Sequence, residues 1–334
     1  MKKSLLALAV LGAFAGAAQA QSAVTIYGSF DGGVRYRTNV DAAGNNNVTM
    51  SSNGTFNSNR IGFRGVEDLG GGLNAHFTLE TGFNTGTGAL NNTANRLFER
   101  TASVGLGGSW GSVDLGRQYT NAFQTIASYD PFSYKYPGIA DAVAATAGTR
   151  YDNDIKYVGK FGPVTARAEY ALGEVAGNTS ASSAKSIAGT FSSGAFTAGA
   201  AYTLREDATG TFDTDHWTVG GAAKFGPARV AVGYANQEAD NATPVDAKTR
   251  WMWIGGNFAL TPAFELTAAF YKTKLSGSTV GDKDNLMLGA TYALSKRTNL
   301  YTLLDTQKYD GAARVAAAGN SRQRGIAVGV NHLF

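Results

Sequence analysis

The chain contains no cysteine in 334 residues, which excludes a disulfide-stapled scaffold and any thiolate metal site. Its three histidines, His76, His216 and His332, lie far apart without metal-ligand spacing, so neither a metal nor a cofactor is expected. Beyond the first twenty residues no stretch reaches the roughly 18 apolar residues of a helical membrane span. A bilayer-embedded form must then be a closed barrel, because hydrocarbon satisfies no backbone N–H or C=O. Neither sign of charge dominates, with 29 basic and 25 acidic residues. Lys and Arg are not clustered as in nucleic-acid binders, and no nucleic-acid partner is expected. Only six prolines interrupt the chain, which leaves room for long strands.

What is abundant points the same way. Forty-three glycines, 18 Phe and 15 Tyr suit long strands with aromatic ends. The chain opens with Met1-Lys2-Lys3, runs through the apolar Leu5 to Leu11, and reaches Ala18-Gln19-Ala20. That is the layout of a cleaved export signal over 1–20, with a mature chain from Gln21. The apolar run is too short to be a membrane anchor. Loss of Lys2 and Lys3 leaves 29 − 2 = 27 basic against 25 acidic residues, a mature chain near neutrality. At the other end, Ile326, Val328 and Val330 alternate with Gly325, Ala327, Gly329 and Asn331 up to His332, Leu333 and Phe334. Period-two alternation of bulky apolar and small or polar residues is the pattern of a membrane β-strand. Terminal residues usually fray, so a Phe334 in register implies a terminus tied into a sheet.

Short turns recur at Asp68, Gly107, Phe161, Ser192, Gly226, Thr261 and Ser295, with intervals of 39, 54, 31, 34, 35 and 34 residues. This is an internal repeat at the level of one hairpin. Longer polar segments fall between them, at about 39–56, 86–97, 119–149, 175–185, 206–214, 237–248, 275–284 and 309–321. Seven short turns and eight long loops make sixteen antiparallel strands, the even-stranded layout of an outer-membrane barrel. Sixteen strands also leave a water-filled lumen. Parity assigns Val24, Ile26 and Phe30 to lipid and Thr25, Ser29 and Asp31 to the lumen. Val164, Ala166, Ala168, Tyr170 and Leu172 likewise face out, and Thr165, Arg167 and Glu169 face in. A lipid-facing charge near the midplane would cost about 2–4 kcal/mol. The rival fold is a large soluble β-sandwich, which has the same alternation with its faces exchanged. The export signal, the terminal Phe334 and the strand count favour the barrel.

Three stretches carry a resemblance. They are Ser22-Ala23-Val24-Thr25-Ile26-Tyr27-Gly28, Asn59-Arg60-Ile61-Gly62-Phe63-Arg64-Gly65-Val66-Glu67-Asp68-Leu69-Gly70, and Arg100-Thr101-Ala102-Ser103-Val104-Gly105-Leu106 with Gly116-Arg117-Gln118. With the terminal Asn331-His332-Leu333-Phe334, they resemble the trimeric general porins of β-proteobacteria, across essentially all of the mature chain. The resemblance implies a 16-stranded transmembrane β-barrel over 21–334 in the outer membrane of a Gram-negative bacterium. It implies a homotrimer among outer-membrane lipid and lipopolysaccharide, inserted by the barrel-assembly machinery through the strand ending in Phe334. Passive diffusion of small hydrophilic solutes and ions is the implied function. The third external loop is expected to fold into the lumen, and 119–149 holds enough Phe, Tyr and Ile to pack against a wall.

The resemblance carries the pore constriction onto Arg60, Arg100 and Arg150. Parity agrees for Arg60, since Ile61 and Phe63 take the lipid row, and for Arg150, since Tyr151, Ile155 and Tyr157 do. Arg100 shares its parity with Ala102, Val104 and Leu106, an outward row, and there the family match is followed against the local pattern. Arg35, Arg37 and Arg64 extend a basic ladder by parity, and the loop itself offers Asp130, Lys135 and Asp141. Arginine rings in a narrow pore favour anions, so a moderate anion preference is expected. Gly107-Gly108-Ser109-Trp110-Gly111 matches the nucleophile-elbow string, but that motif needs a strand-turn-helix and this one sits in a β-turn. An outer-membrane hydrolase would need a Ser or Asp within reach of a His, and the sequence supplies no such pairing. An adhesive barrel would carry a plug or larger loops.

Overall fold

The computed structural model describes residues 23–50, 55–136, 144–242 and 245–334. The expected export signal and Asp141 lie outside the described residues. The first half of the chain forms β1 (Ala23–Arg37), β2 (Asn47–Met50), β3 (Arg60–Gly70), β4 (Leu73–Gly82), β5 (Thr101–Gly108), β6 (Gly111–Tyr119), β7 (Arg150–Phe161) and β8 (Val164–Ala171). The second half forms β9 (Ala184–Ser193), β10 (Phe196–Glu206), β11 (Asp213–Phe225), β12 (Ala228–Ala239), β13 (Ala247–Thr261), β14 (Phe264–Gly277), β15 (Gly281–Ala293), β16 (Thr298–Gly311) and β17 (Arg322–Leu333). The helix α1 (Asn121–Ala127) follows directly on β6.

Apart from β2, which pairs with β1, each strand pairs antiparallel with its neighbours around the barrel, and β1 closes the sheet against β17 from Ser29↔Leu333 to Arg37↔Gly325. The strands β2 and β3 share one stave. Val34–Arg37 of β1 pair with β2, and Ala23–Ser29 pair with β3. Seventeen strands therefore make a closed barrel of sixteen staves, as the turn spacing predicts. All seven short turns fall between the expected strands. In three successive turns Gly162, Gly194 and Gly226 hold φ of 57°, 55° and 56°. That left-handed conformation suits glycine and reverses the chain in two residues.

The faces follow the parity reading and exclude the sandwich. Val24, Ile26, Val328 and Val330 are exposed on the outside, whereas Ser29, Asp31 and Asn331 are buried on the inside. Covering such an outer row with lipid is worth about 1.5–3 kcal/mol per Val, Leu or Ile side chain. The carboxyl-terminal residue is held in the sheet. Gly28 N donates to Phe334 O at 3.2 Å, Phe334 N donates to Gly28 O at 3.3 Å, and the Phe334 ring stacks on Phe30 at 5.3 Å. No helix among the described residues is long and apolar enough to cross a membrane.

Candidate functional site

The loop between β6 and β7 enters the barrel. Thr120 caps α1 by accepting from Phe123 N at 3.2 Å, and Asn121 N donates to both Glu169 carboxylate oxygens at 3.0 and 3.1 Å. Glu169 is in turn 2.9 Å from Lys156 Nζ, which also lies 3.4 Å from Asp154; all three side chains are buried on the inner wall. Lys156 donates as well to the Tyr119 carbonyl, so one buried cation joins β7, β8 and the start of the loop.

Further along, aromatic rings fill notches in the wall. Tyr129 OH lies 2.8 Å from the Thr218 hydroxyl, and Trp253 Nε1 donates to Tyr129 O at 3.2 Å. A Cβ on Gly220 would stand 2.3 Å from the Tyr129 ring, and one on Gly289 would stand 3.0 Å from Phe132. At Gly220 any side chain would force the Tyr129 ring to move, and at Gly289 it would leave the Phe132 ring a tight fit. Asp31 of β1 accepts from the backbone N–H of Thr55 (2.9 Å), Phe56 (3.2 Å) and Asn57 (3.0 Å), drawing the end of the first loop inward. Phe56 then stacks on Tyr301 at 5.2 Å and meets Tyr136 edge-on at 4.9 Å.

The opposite wall carries a chain of charged groups. Glu80 of β4 accepts from Arg100 Nε at 2.6 Å and lies 3.5 Å from Arg60 Nε. Tyr119 OH accepts from Arg100 Nη2 and from Arg150 Nη2, each at 2.6 Å, and the Arg150 guanidinium sits 4.1 Å above the Tyr119 ring. The order is Arg60, Glu80, Arg100, Tyr119, Arg150. Tyr119 also stacks on Phe123 at 4.6 Å, and Phe123 on Tyr134 at 4.1 Å. The arginine chain thus leans on an aromatic column that belongs to the inserted loop.

The three arginines named from the sequence come together, but two of the local arguments need correction. Arg100 turns inward although its parity is outward, because the ladder is irregular there. Arg100 N donates to Glu80 O while Thr101 is the register partner of Glu80, so two residues oppose one. Tyr151 does not face lipid: its OH donates to Ala147 O, and the Arg205 guanidinium stands 6.0 Å from its ring. The β6–β7 register shifts between Gly116 and Gln118, and Asn153 on the other strand takes φ 53°.

The ladder is also shorter than expected. Arg35 is buried against Asp305 at 2.8 Å, which neutralises it, and Arg37 is half-buried two residues beyond. Arg64 lies over the Tyr27 ring at 5.4 Å, and Lys135 is exposed with its ammonium 4.9 Å from the Phe56 ring. Asp130 does not face the arginines. It is fully buried behind the loop and accepts from Tyr271 OH at 2.7 Å and Tyr134 N at 2.8 Å. Burial pushes its carboxyl up to about 6 against the pull of those two hydrogen bonds. Sequence reasoning missed Glu80 and Tyr119. Glu80 had a signal, since it shares the inward parity of His76, whose ring lies 2.7 Å from Asp114. Ser109 and Trp110 form the β5–β6 turn with no helix after it, and Trp110 stacks on Tyr157.

A model of the Gram-negative porin family matches residues 7–312. The chain belongs to that family. It is 34% identical to outer membrane porin protein 32 of Delftia acidovorans over the full length of both. An outer membrane porin protein of Bordetella pertussis is 43% identical over 173 residues, 47% of this chain and 44% of that one. Among solved structures, the anion-selective porin from Comamonas acidovorans superposes with a TM-score of 0.83 at 28% identity, covering 94% of this chain and all of that one. The porin is an outer-membrane β-barrel of a Gram-negative bacterium, and its family and fold are those of a channel.

Proposed function

We propose that this porin is a passive diffusion channel for small hydrophilic solutes with a moderate anion preference set by Arg60, Arg100 and Arg150. The observation that carries the reading is the Arg60–Glu80–Arg100–Tyr119–Arg150 chain on one wall, with the loop carboxylate Asp130 turned away from it. Three guanidinium groups stand against Glu80 and the neighbouring Glu99, an excess of 3 − 2 = 1 positive charge. In a narrow, low-dielectric passage such an excess raises the local concentration of anions. The solved neighbour described as anion-selective supports the same reading. The working assembly is a homotrimer of chains that begin at Gln21, after export and removal of 1–20. A channel of this kind does no chemistry on its solutes.

The test is purified protein in a planar bilayer under a KCl gradient. A stable conductance with a zero-current potential displaced toward chloride is expected. A potential at zero would sink the selectivity, and folded protein without conductance would sink the channel.

A further inference from the structure

The tip of the inserted loop is held in a costly conformation. Ser133, Tyr134 and Tyr136 take φ of 50°, 58° and 72°, the left-handed region that favours glycine. Such strain persists only where surrounding contacts fix it, and here they do. Tyr134 N donates to Asp130 Oδ2 at 2.8 Å, Lys135 N to Phe132 O at 3.0 Å, and Tyr136 N to Phe56 O at 3.0 Å. What the strain achieves is the placement of Lys135. Its side chain is exposed, with the ammonium over the Phe56 ring. Among the described residues that ammonium makes no ion pair and no hydrogen bond.

Between the tip and the wall lies a cavity of about 70 Å³. Three neighbouring strands form its far side, with Asn257 of β13 opposite Thr267 of β14, and Glu265 of β14 opposite Thr291 of β15. Lys135 and Phe56 line the loop side. Glu265 is exposed, and among the described residues its carboxylate has no ion pair or hydrogen bond either. The Thr291 hydroxyl is likewise without a partner among the described residues. The other nearby cation, Arg229, is occupied: it donates to Ser128 O at 2.9 Å and to Asn257 Oδ1 at 3.4 Å. A free ammonium and a free carboxylate thus line one small polar space, close enough to attract each other, without forming an ion pair.

That arrangement selects among solutes. A simple anion drawn to Lys135 would meet Glu265, and a simple cation drawn to Glu265 would meet Lys135. A molecule carrying both charges a few bonds apart satisfies both groups at once. We propose that this cavity binds the head group of a zwitterionic α-amino acid, its carboxylate on Lys135 and its ammonium on Glu265. Thr291 and Asn257 supply further hydrogen-bonding groups. The space admits the head group and little more, so the amino-acid side chain projects into the lumen and obstructs it. The inference rests on the channel reading and adds to it a solute class that pauses at the loop tip.

The test is single-channel current in KCl at neutral pH with leucine added on both sides. The wild-type current should fall saturably as leucine is raised. Leucinamide keeps the ammonium but loses the carboxylate, and should block less well. Lys135→Gln and Glu265→Gln each replace one exposed charge, and either alone decides the matter if the other does not fold. Each should raise the half-blocking leucine concentration about fivefold, as expected for one lost charge-assisted hydrogen bond in a wet site. Lys185→Gln, at an exposed base on the outward row of β9, should be blocked like the wild type. Open channels that leucine does not block, leucinamide blocking as well as leucine, or a folded Gln variant at position 135 or 265 blocked as readily as the wild type would each overturn the proposal alone. So would equal weakening by Lys185→Gln. Folded protein without any conductance would instead overturn the channel reading, and this inference with it.

Discussion

Where β10, β11 and β15 face the lumen, Gly199, Gly220 and Gly289 leave room for the rings of the inserted loop. Where β3, β4 and β7 face it, Arg60, Glu80 and Arg150 stand in a connected polar chain. Both walls face the lumen, yet one is built from apolar packing and the other from ion pairs and hydrogen bonds. The difference comes from what covers each wall. Trp253, Tyr271, Met287 and Leu303 are buried beneath the inserted segments, as core residues would be. On the arginine wall Arg100 and Glu80 are buried and Arg60 and Arg150 half-buried, and they are held by ion pairs to Glu80 and hydrogen bonds to Tyr119 rather than by apolar packing.

The comparison can be broken most severely at Arg100, the residue tied to both Glu80 and Tyr119. Arg100→Glu sets a second carboxylate beside Glu80 and changes the local charge by two. Each unit charge is worth about 1 kcal/mol at 4 Å in water, so bilayer recordings should show the chloride preference reversed toward potassium. The packed wall is broken next, by Gly220→Leu, which fills the notch that Tyr129 occupies. Overpacking of this kind costs about 1–3 kcal/mol, and single-channel records should show a larger or fluctuating conductance as the loop is displaced.

The remaining two sharpen the contrast. Glu80→Gln removes the carboxylate between Arg60 and Arg100, and the permeability ratio should shift further toward chloride, by at most about fivefold for one charge. The smallest effect is at Asp130. Its carboxyl is raised from 3.8 to about 6, so the folded state binds the proton more tightly than the unfolded state. The stabilisation from that proton is complete below the ordinary carboxylate value and is lost as pH rises through about 6. Hydrogen exchange at the Tyr134 amide, corrected for intrinsic rate, should be slower at pH 5 than at pH 7.5. Asp130→Asn should abolish the difference.

Much of this architecture is legible in the residues. The spacing of Gly and Pro turns yields the sixteen staves, and period-two alternation separates Val24 and Ile26 from Ser29 and Asp31. Local parity is less informative where strands are irregular. At Arg100 two residues oppose one, and near Asn153 the β6–β7 register slips, so inward and outward exchange over a few residues. Pairing partners are harder still to read. That Glu80 would meet Arg100, or that Tyr119 would serve two arginines, depends on register between strands separated by long loops. Asp130 shows the same limit in a loop, because a carboxylate between Tyr129 and Pro131 looks available for the pore until Tyr271 is found beneath it.

The zero-current potential of the wild type and of Arg60→Ala/Arg100→Ala/Arg150→Ala, recorded side by side under the same KCl gradient, tests the central claim most directly. The account predicts a chloride-directed potential in the wild type that falls to zero or turns toward potassium in the variant, with the channel still open. An unchanged chloride-directed potential in an open variant would show that the arginine wall does not set the selectivity.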